Sequence, residues 1–495
     1  MRSVASWLSK RLQYLFSATK GLVLVAIALI SLTTAFMGTL SGPMQTWGVT
    51  DTVVNTFGLR LVAAEREGRI ILLYHTIAVA VVAIETYLIT AVVPMERHEQ
   101  TRINGTITVG YLLTLIFGLA FGYFGHNWAL HGLYIAGLSI TFFAGLQLAV
   151  ALWPWRQKYA ARDPAYAHLG KIDLERTAFF VVAIATLGSA MFGAVTGSFW
   201  GNGFETFLAE DVVREPLKTQ FQLAIIGHLH IMLTLIGIAA TLLVGRWLDF
   251  KGFWHKVSMP LFIVGTMIVT PGAWAVVPFE AIAHVIIYVG STIVLLGALF
   301  LVIFGFGKLI REGIEKQQIE KPSLGQKLAA LVRDPLKFGA LWQMVFMNFV
   351  VAGPGLFMAA KLEEIFRVWP LRQERLVLTG HWHVLSGLIA TIILFMYADM
   401  AGLKGRVRQA FGWTIILFSD LAFGAATIYT TRRLFVTEYG EGPLVQTLTI
   451  LLDTGLGAVL LALAALMVWR LVDLFKTRGR WQKEFHEAQG QEVSL

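Results

Sequence analysis

Three histidines recur along the chain at one fixed interval: His75, His228 and His381 are separated by 153 residues each. The copies read His75-Thr76-Ile77, Gly227-His228-Leu229-His230 and Gly380-His381-Trp382-His383, so the second and third carry an extra histidine two residues on. The same interval relates Lys251-Gly252 to Lys404-Gly405, and His131 to His284, each of these two followed six residues later by a glycine, Gly137 or Gly290. Thr437 stands at the corresponding place of the third copy. Repetition at a long period outranks any local motif as a guide to architecture. It divides the chain into units 1–160, 161–320 and 321–480, followed by a tail, 481–495.

A lone histidine on an apolar helix is usually a hydrogen-bonded packing residue. Ionisable groups inside a membrane are costly, however, and tend to be functional. Here His75, His228, His230, His284, His381 and His383 all open apolar segments that run in one direction, so they converge at one depth. Imidazole is a common axial ligand of heme iron: two on opposite faces give a six-coordinate electron carrier, and one leaves an open position. Residues two apart on a helix project about 200° apart, so His381 and His383 can serve two sites from one helix. His98, His126, His168, His255 and His486 fall in expected loops or tails and read as solvated surface.

The segments that position these side chains are long and apolar. Of 495 residues, 56% are hydrophobic and 14% charged, with a mean hydropathy of +0.67, whereas a soluble domain carries roughly 25% charged residues. Runs able to cross a ~30 Å hydrocarbon core as helices centre on residues 20–40, 70–93, 104–124, 128–152, 177–199, 219–245, 258–278, 280–306, 338–360, 376–398, 409–430 and 446–470. The reading is an all-α integral membrane protein of about twelve helices, in three four-helix arcs around a pseudo-threefold axis.

The net charge of +9 does not point to nucleic acid. Its basic residues gather in loops 10–20, 97–102, 156–176, 246–256, 308–337 and 404–408 and in the tail from 470, all on one side, as the positive-inside rule expects. Both termini are therefore expected in the cytoplasm, with an uncleaved first helix behind an amphipathic lead-in carrying Arg2, Lys10 and Arg11. The absence of cysteine excludes disulfides, iron–sulfur ligation, thiolate copper sites and covalent c-type heme in this chain.

Across essentially its whole length the chain resembles subunit I of the heme-copper oxidase superfamily, which includes oxygen-reducing oxidases and nitric oxide reductases. His75 on helix two and Gly380-His381-Trp382-His383 on helix ten match that family's heme ligands in identity, helix number and membrane side. The resemblance implies that His75 and His383 hold a low-spin heme and that His381 is the proximal ligand of a second. Glu85, Tyr87, Pro94 and Glu96 look more like the nitric oxide reductases.

The departures concern the catalytic metal. His228 matches the helix-six ligand, but helix seven, Thr266 to Trp274, has no histidine, and Met232 stands where the oxidases place a tyrosine. The ordinary binuclear centre, with its copper or non-heme iron, is expected to be missing. If His75 pairs with His383 across a unit interface, the same operation pairs His381 with His230, while His228 would meet Ile77, which cannot ligate.

Two bis-histidine hemes, of b type, would make the protein an electron carrier. The alternative is an oxygen or nitric oxide reductase with a modified non-heme site of His228, His284 and Glu280, the last two spaced i, i+4. A transporter would also explain twelve helices and repeats, but histidines gathered toward one side fit heme better. No proton channel is expected; Glu85 is the single candidate relay.

Heme propionates would find Arg367, Arg372, Arg375, Arg432, Arg433 and Trp274 on the outer side. Besides membrane lipid, the expected partners are a c-type cytochrome or other electron-transfer subunit, or quinol. The acidic stretch with Glu205, Glu210, Asp211 and Glu215 offers a docking patch for a basic carrier. The expected location is the cytoplasmic membrane of a bacterium or archaeon, with the hemes toward the outer side.

Overall fold

The computed structural model describes residues 2–40, 43–62, 66–125, 127–200, 220–366, 368–369, 371–436 and 442–490. Among them twelve helices are long and apolar enough to span a membrane. They are α1 (Thr19–Gly38), α2 (Arg66–Val92), α3 (Arg97–Phe124), α4 (Trp128–Ala151), α5 (Leu174–Trp200), α6 (Gln220–Trp247), α7 (Phe253–Ala275), α8 (Glu280–Gln317), α9 (Pro335–Ala360), α10 (Leu371–Met400), α11 (Gly405–Thr431) and α12 (Pro443–Phe475). The chain is an all-α integral membrane protein. Its described strands form one hairpin, β1 (His168–Leu169) against β2 (Ile172–Asp173), in the loop before α5.

The most extensive helix pairings are α3 with α4, α7 with α8 and α11 with α12, the same pair in each third of the chain. Glycine makes these contacts possible. A Cβ on Gly137 would lie 2.5 Å from Thr114 N, and one on Gly290 would lie 2.6 Å from Val269 N. These glycines, 153 residues apart, bring backbone against backbone, the usual way for membrane helices to gain packing without a hydrophobic driving force.

One helix is irregular for a reason visible in its sequence. α9 passes through a π-helical turn, Phe346–Ala352, just before Gly353-Pro354-Gly355. Proline has no N–H to donate and crowds the preceding turn, and the widened turn absorbs the mismatch.

Opposite the histidine-bearing end, the basic loops are tied down by charge pairs. Arg246 of α6 binds Glu175 of α5 at 2.9 Å, Arg156 binds Glu99 at 2.7 Å, and Arg408 binds Asp334 at 2.7 Å and also Asp399. Trp247 of α6 donates to Asp399 of α10 at 2.7 Å, which joins the second third of the chain to the last. The amphipathic helix Arg2–Ser17 and the terminal helix Arg480–Gly490 close this end: Tyr14 donates to Glu484, and Arg470 binds both, each at 2.6 Å.

His255 departs from the surface reading. It is buried in the first turn of α7, so helix seven does carry a histidine, at its loop end, where its Nδ1 accepts the Ala167 N–H at 2.8 Å and anchors the hairpin loop. A histidine three residues into a membrane helix is easily taken for a loop residue when the boundary is set by hydropathy. Glu205, Glu210, Asp211, Glu215, Arg367 and His126 lie outside the described residues.

Candidate functional site

Helix α6 packs against both α2 and α10, whereas α2 and α10 are not closely packed against each other among the described residues. The two histidines of α6, pointing to opposite sides, divide between these neighbours. The His228 ring lies 6.1 Å from that of His75 on α2, with the planes 21° apart. The His230 ring lies 6.2 Å from that of His381 on α10, at 34°.

The imidazoles are oriented by the backbone. His75 Nδ1 donates to Ile71 O at 2.9 Å, His228 Nδ1 to Ser189 O at 2.9 Å and His230 Nδ1 to Ile226 O at 2.7 Å. A carbonyl only accepts, so each Nδ1 carries the proton and each Nε2 presents a lone pair. Fixing the tautomer through the remote nitrogen is how proteins orient histidine as a metal ligand. The indole of Trp382 uses the lone pair of His230, donating to its Nε2 at 3.0 Å.

His383 meets a different group from the one its repeat position suggests. Its Nε2 shares a 3.0 Å hydrogen bond with the hydroxyl of Tyr74, and their ring centroids are 6.0 Å apart. Tyr74 and His75 are adjacent, about 100° apart around α2. That offset lets α2 offer His75 to α6 and Tyr74 to α10. His228, expected to meet Ile77, faces His75 instead.

The space between these helices is open. His230 and His383 are exposed, and Tyr74 is 41% exposed, although all three sit on the helices at the centre of the repeats. Glycines lie against two of the imidazoles. Gly193 of α5 lies directly on the His228 imidazole, and a Cβ on Gly355, just past the π turn of α9, would lie 2.7 Å from His381 Nε2. The exposed edges of His230, His383 and Tyr74 leave this end accessible, and the α5 and α9 backbones pass directly against the His228 and His381 rings. A ring separation near 6 Å is also what one metal atom would span, with metal–nitrogen bonds of about 2 Å on each side. The residue types fit heme, with the Trp382 indole having to leave His230 Nε2 for a metal to take that nitrogen.

The arrangement does not fit the alternative non-heme site. Among the described residues no three His, Asp or Glu side chains gather as metal ligands. His284 stacks along its own helix on Tyr288, with centroids 6.2 Å apart, while His228 is turned to His75 and Ser189, so His228, His284 and Glu280 are not assembled into one site. His131 stacks flat on Phe121 at 5.1 Å, an ordinary packing contact.

Of the expected propionate partners, Trp274 donates to Ser189 Oγ at 3.3 Å, behind His228. Arg432 lies over the Tyr429 ring at 4.4 Å. The side chains of Arg372 and Arg375 lie outside the described residues.

Sequence reasoning missed Tyr74, Ser189, Gly193, Gly355 and Trp382. Tyr74 and Trp382 adjoin the repeated histidines, and the Gly-Pro-Gly of α9 interrupts a membrane span, so these three left a signal. Ser189 and Gly193 left none, because nothing in α5 marks the face it turns to His228. The chain matches no protein-family model, and no curated protein is found to be similar to it.

Proposed function

We propose that this chain is a heme-binding membrane oxidoreductase subunit of heme-copper oxidase type that carries electrons between partners. The observation that carries this reading is the facing pair His230 and His381, 6.2 Å apart on neighbouring helices, with the His230 tautomer fixed by Ile226 O. When bound there, heme supplies one-electron oxidation and reduction at a six-coordinate iron that has no open position for oxygen or nitric oxide.

His75 is the first ligand of a second, b-type heme. Repeat symmetry names His383 as its partner and the ring geometry names His228, so the variants H383A and H228A divide the two: the one that loses the second heme identifies the ligand. The protein's own residues hold the imidazoles in register through Ile71, Ser189 and Ile226, and Gly193 of α5 and Gly355 of α9 let the backbone pass against the His228 and His381 rings. Copper and non-heme iron have no part in this reading.

With no cysteine for a covalent heme or thiolate copper, electrons enter and leave through a c-type cytochrome, another subunit or quinol. The basic loops support a cytoplasmic-membrane protein with both termini inside and the hemes toward the outer face.

The decisive experiment is the absorption spectrum of the dithionite-reduced protein before and after carbon monoxide, with heme counted per chain. Two hemes and an unchanged spectrum are expected. A carbon monoxide complex would mean an open heme and move the protein to the gas reductases, and absence of heme would end both readings.

A further inference from the structure

Helix α12 carries an acid that lipid cannot satisfy. Among the described residues α12 packs closely against α11 and, beyond the membrane, against the helix Arg480–Gly490. Of the most apolar stretch of α12 only 11% is buried, the smallest share among the twelve spans. One long side of this helix therefore faces outward.

The depth of the acid follows from α11. Arg408 and Arg432 mark the two ends of that helix, and Asp420 lies midway, twelve residues from each. Gly455 of α12 packs against this midpoint, since a Cβ there would meet Phe418 O at 2.6 Å and the Ala422 Cβ at 2.8 Å. Asp453 is two residues from Gly455, about 3 Å along the axis and about 200° around it. It lies at mid-depth on the side turned away from α11. Asp453 is exposed and has no hydrogen bond or ion pair among the described residues.

Around Asp453 the same face continues with Gln446, Thr449, Gly457 and Leu460, at offsets of −7, −4, +4 and +7. Gln446, Thr449 and Leu460 are exposed, and a Cβ on Gly457 would meet nothing within 4 Å. The four-helix unit does not require this acid. Its counterparts one and two repeats earlier, at 153-residue steps, are Phe300 and Gln147. A charged group directed into hydrocarbon is normally turned to a protein partner or a polar cavity, and small and polar residues are what bring membrane helices together.

We propose that this face of α12 docks a membrane-spanning helix of a partner subunit that presents a lysine, arginine or histidine to Asp453. A second copy of this chain is a poorer occupant, because a twofold contact centred here would set Asp453 against Asp453. The proposal stands apart from the heme reading.

The test places a photo-reactive phenylalanine analogue at Leu460, on this face, and at Leu417, an exposed position on α11, in the full chain in its native membrane. The Leu460 probe is expected to capture a membrane-spanning peptide with a basic residue about two turns from the adduct, the spacing of Leu460 from Asp453, and D453N to lower the yield at least tenfold at equal chain level. The Leu417 probe is expected to capture lipid. Lipid adducts at both positions, adducts to this same chain, or a captured helix that lacks a basic residue or ignores D453N would each overturn the proposal. Should D453N fail to accumulate, the identity of the peptide captured by the chain with native Asp453 still decides.

Discussion

His230 and His381 face each other from neighbouring helices with ring centroids 6.2 Å apart, and Trp382, next to His381, donates to the same His230. The indole thus occupies the nitrogen a metal would use. Removal of His230 as H230A should leave heme on His381 with one axial position open. Reduced wild-type protein is expected to show no change with carbon monoxide, and H230A to give a carbon monoxide complex in one heme of two. An H230A spectrum identical to wild type would sink this pairing.

Gly355 gives a more local test. A methyl group placed 2.7 Å from His381 Nε2 cannot be accommodated without moving the ring or the α9 backbone. G355A should therefore lower heme content from two per chain toward one and leave the chain inserted. G424A, where a Cβ meets nothing within 4 Å, is the matched control and should keep both hemes. Equal heme content in the two variants would show that Gly355 does not bound the site.

The number and placement of the spans were legible because hydropathy over about twenty residues is set by the membrane itself. The recurrence of His75, His228 and His381 at identical spacing is a property of the sequence itself. Azimuth was not legible. Whether His75 turns to α6 or α10 depends on a rotation of α2 by about one residue's 100°, and hydrophobicity on both sides of a central helix leaves that rotation unmarked. The same blindness hid Asp453, whose sequence neighbours are as apolar as those of any span. His255 was misread for a boundary reason, three residues deciding between loop and buried helix.

The closure of the loop-bearing end rests on Arg470, whose side chain is 1% exposed and binds Glu484 at 2.6 Å, with Asp473 at 3.7 Å. Removing one partner of a buried pair leaves an uncompensated charge and costs about 3–5 kcal/mol. E484A is expected to fall at the lower end, about 3 kcal/mol, because Asp473 remains. The double variant R470M/E484L, which replaces both charges by apolar groups, should recover most of the loss in thermal unfolding of the detergent-solubilised chain. A double variant no more stable than E484A would show that the ion pair itself is required.

Alkaline stability should depend on Tyr166, in the loop before the hairpin. Its hydroxyl donates to Asp249 at 2.7 Å, and burial first, then this hydrogen bond to Asp249, push its pKa from 10.0 up to about 12. The folded state thus holds the phenolic proton more tightly than the unfolded chain. Below pH 10 both states are protonated and the contribution is complete; between pH 10.0 and about 12 the unfolded chain ionises first, and stability falls as pH rises. Lys251, whose pKa is raised by its hydrogen bond to Asp249, loses its contribution in the same direction. Melting temperatures followed from pH 8 to 12 should therefore drop more steeply for wild type than for Y166F, the two curves converging at the alkaline end. Parallel curves would mean that the Tyr166 proton is not linked to folding.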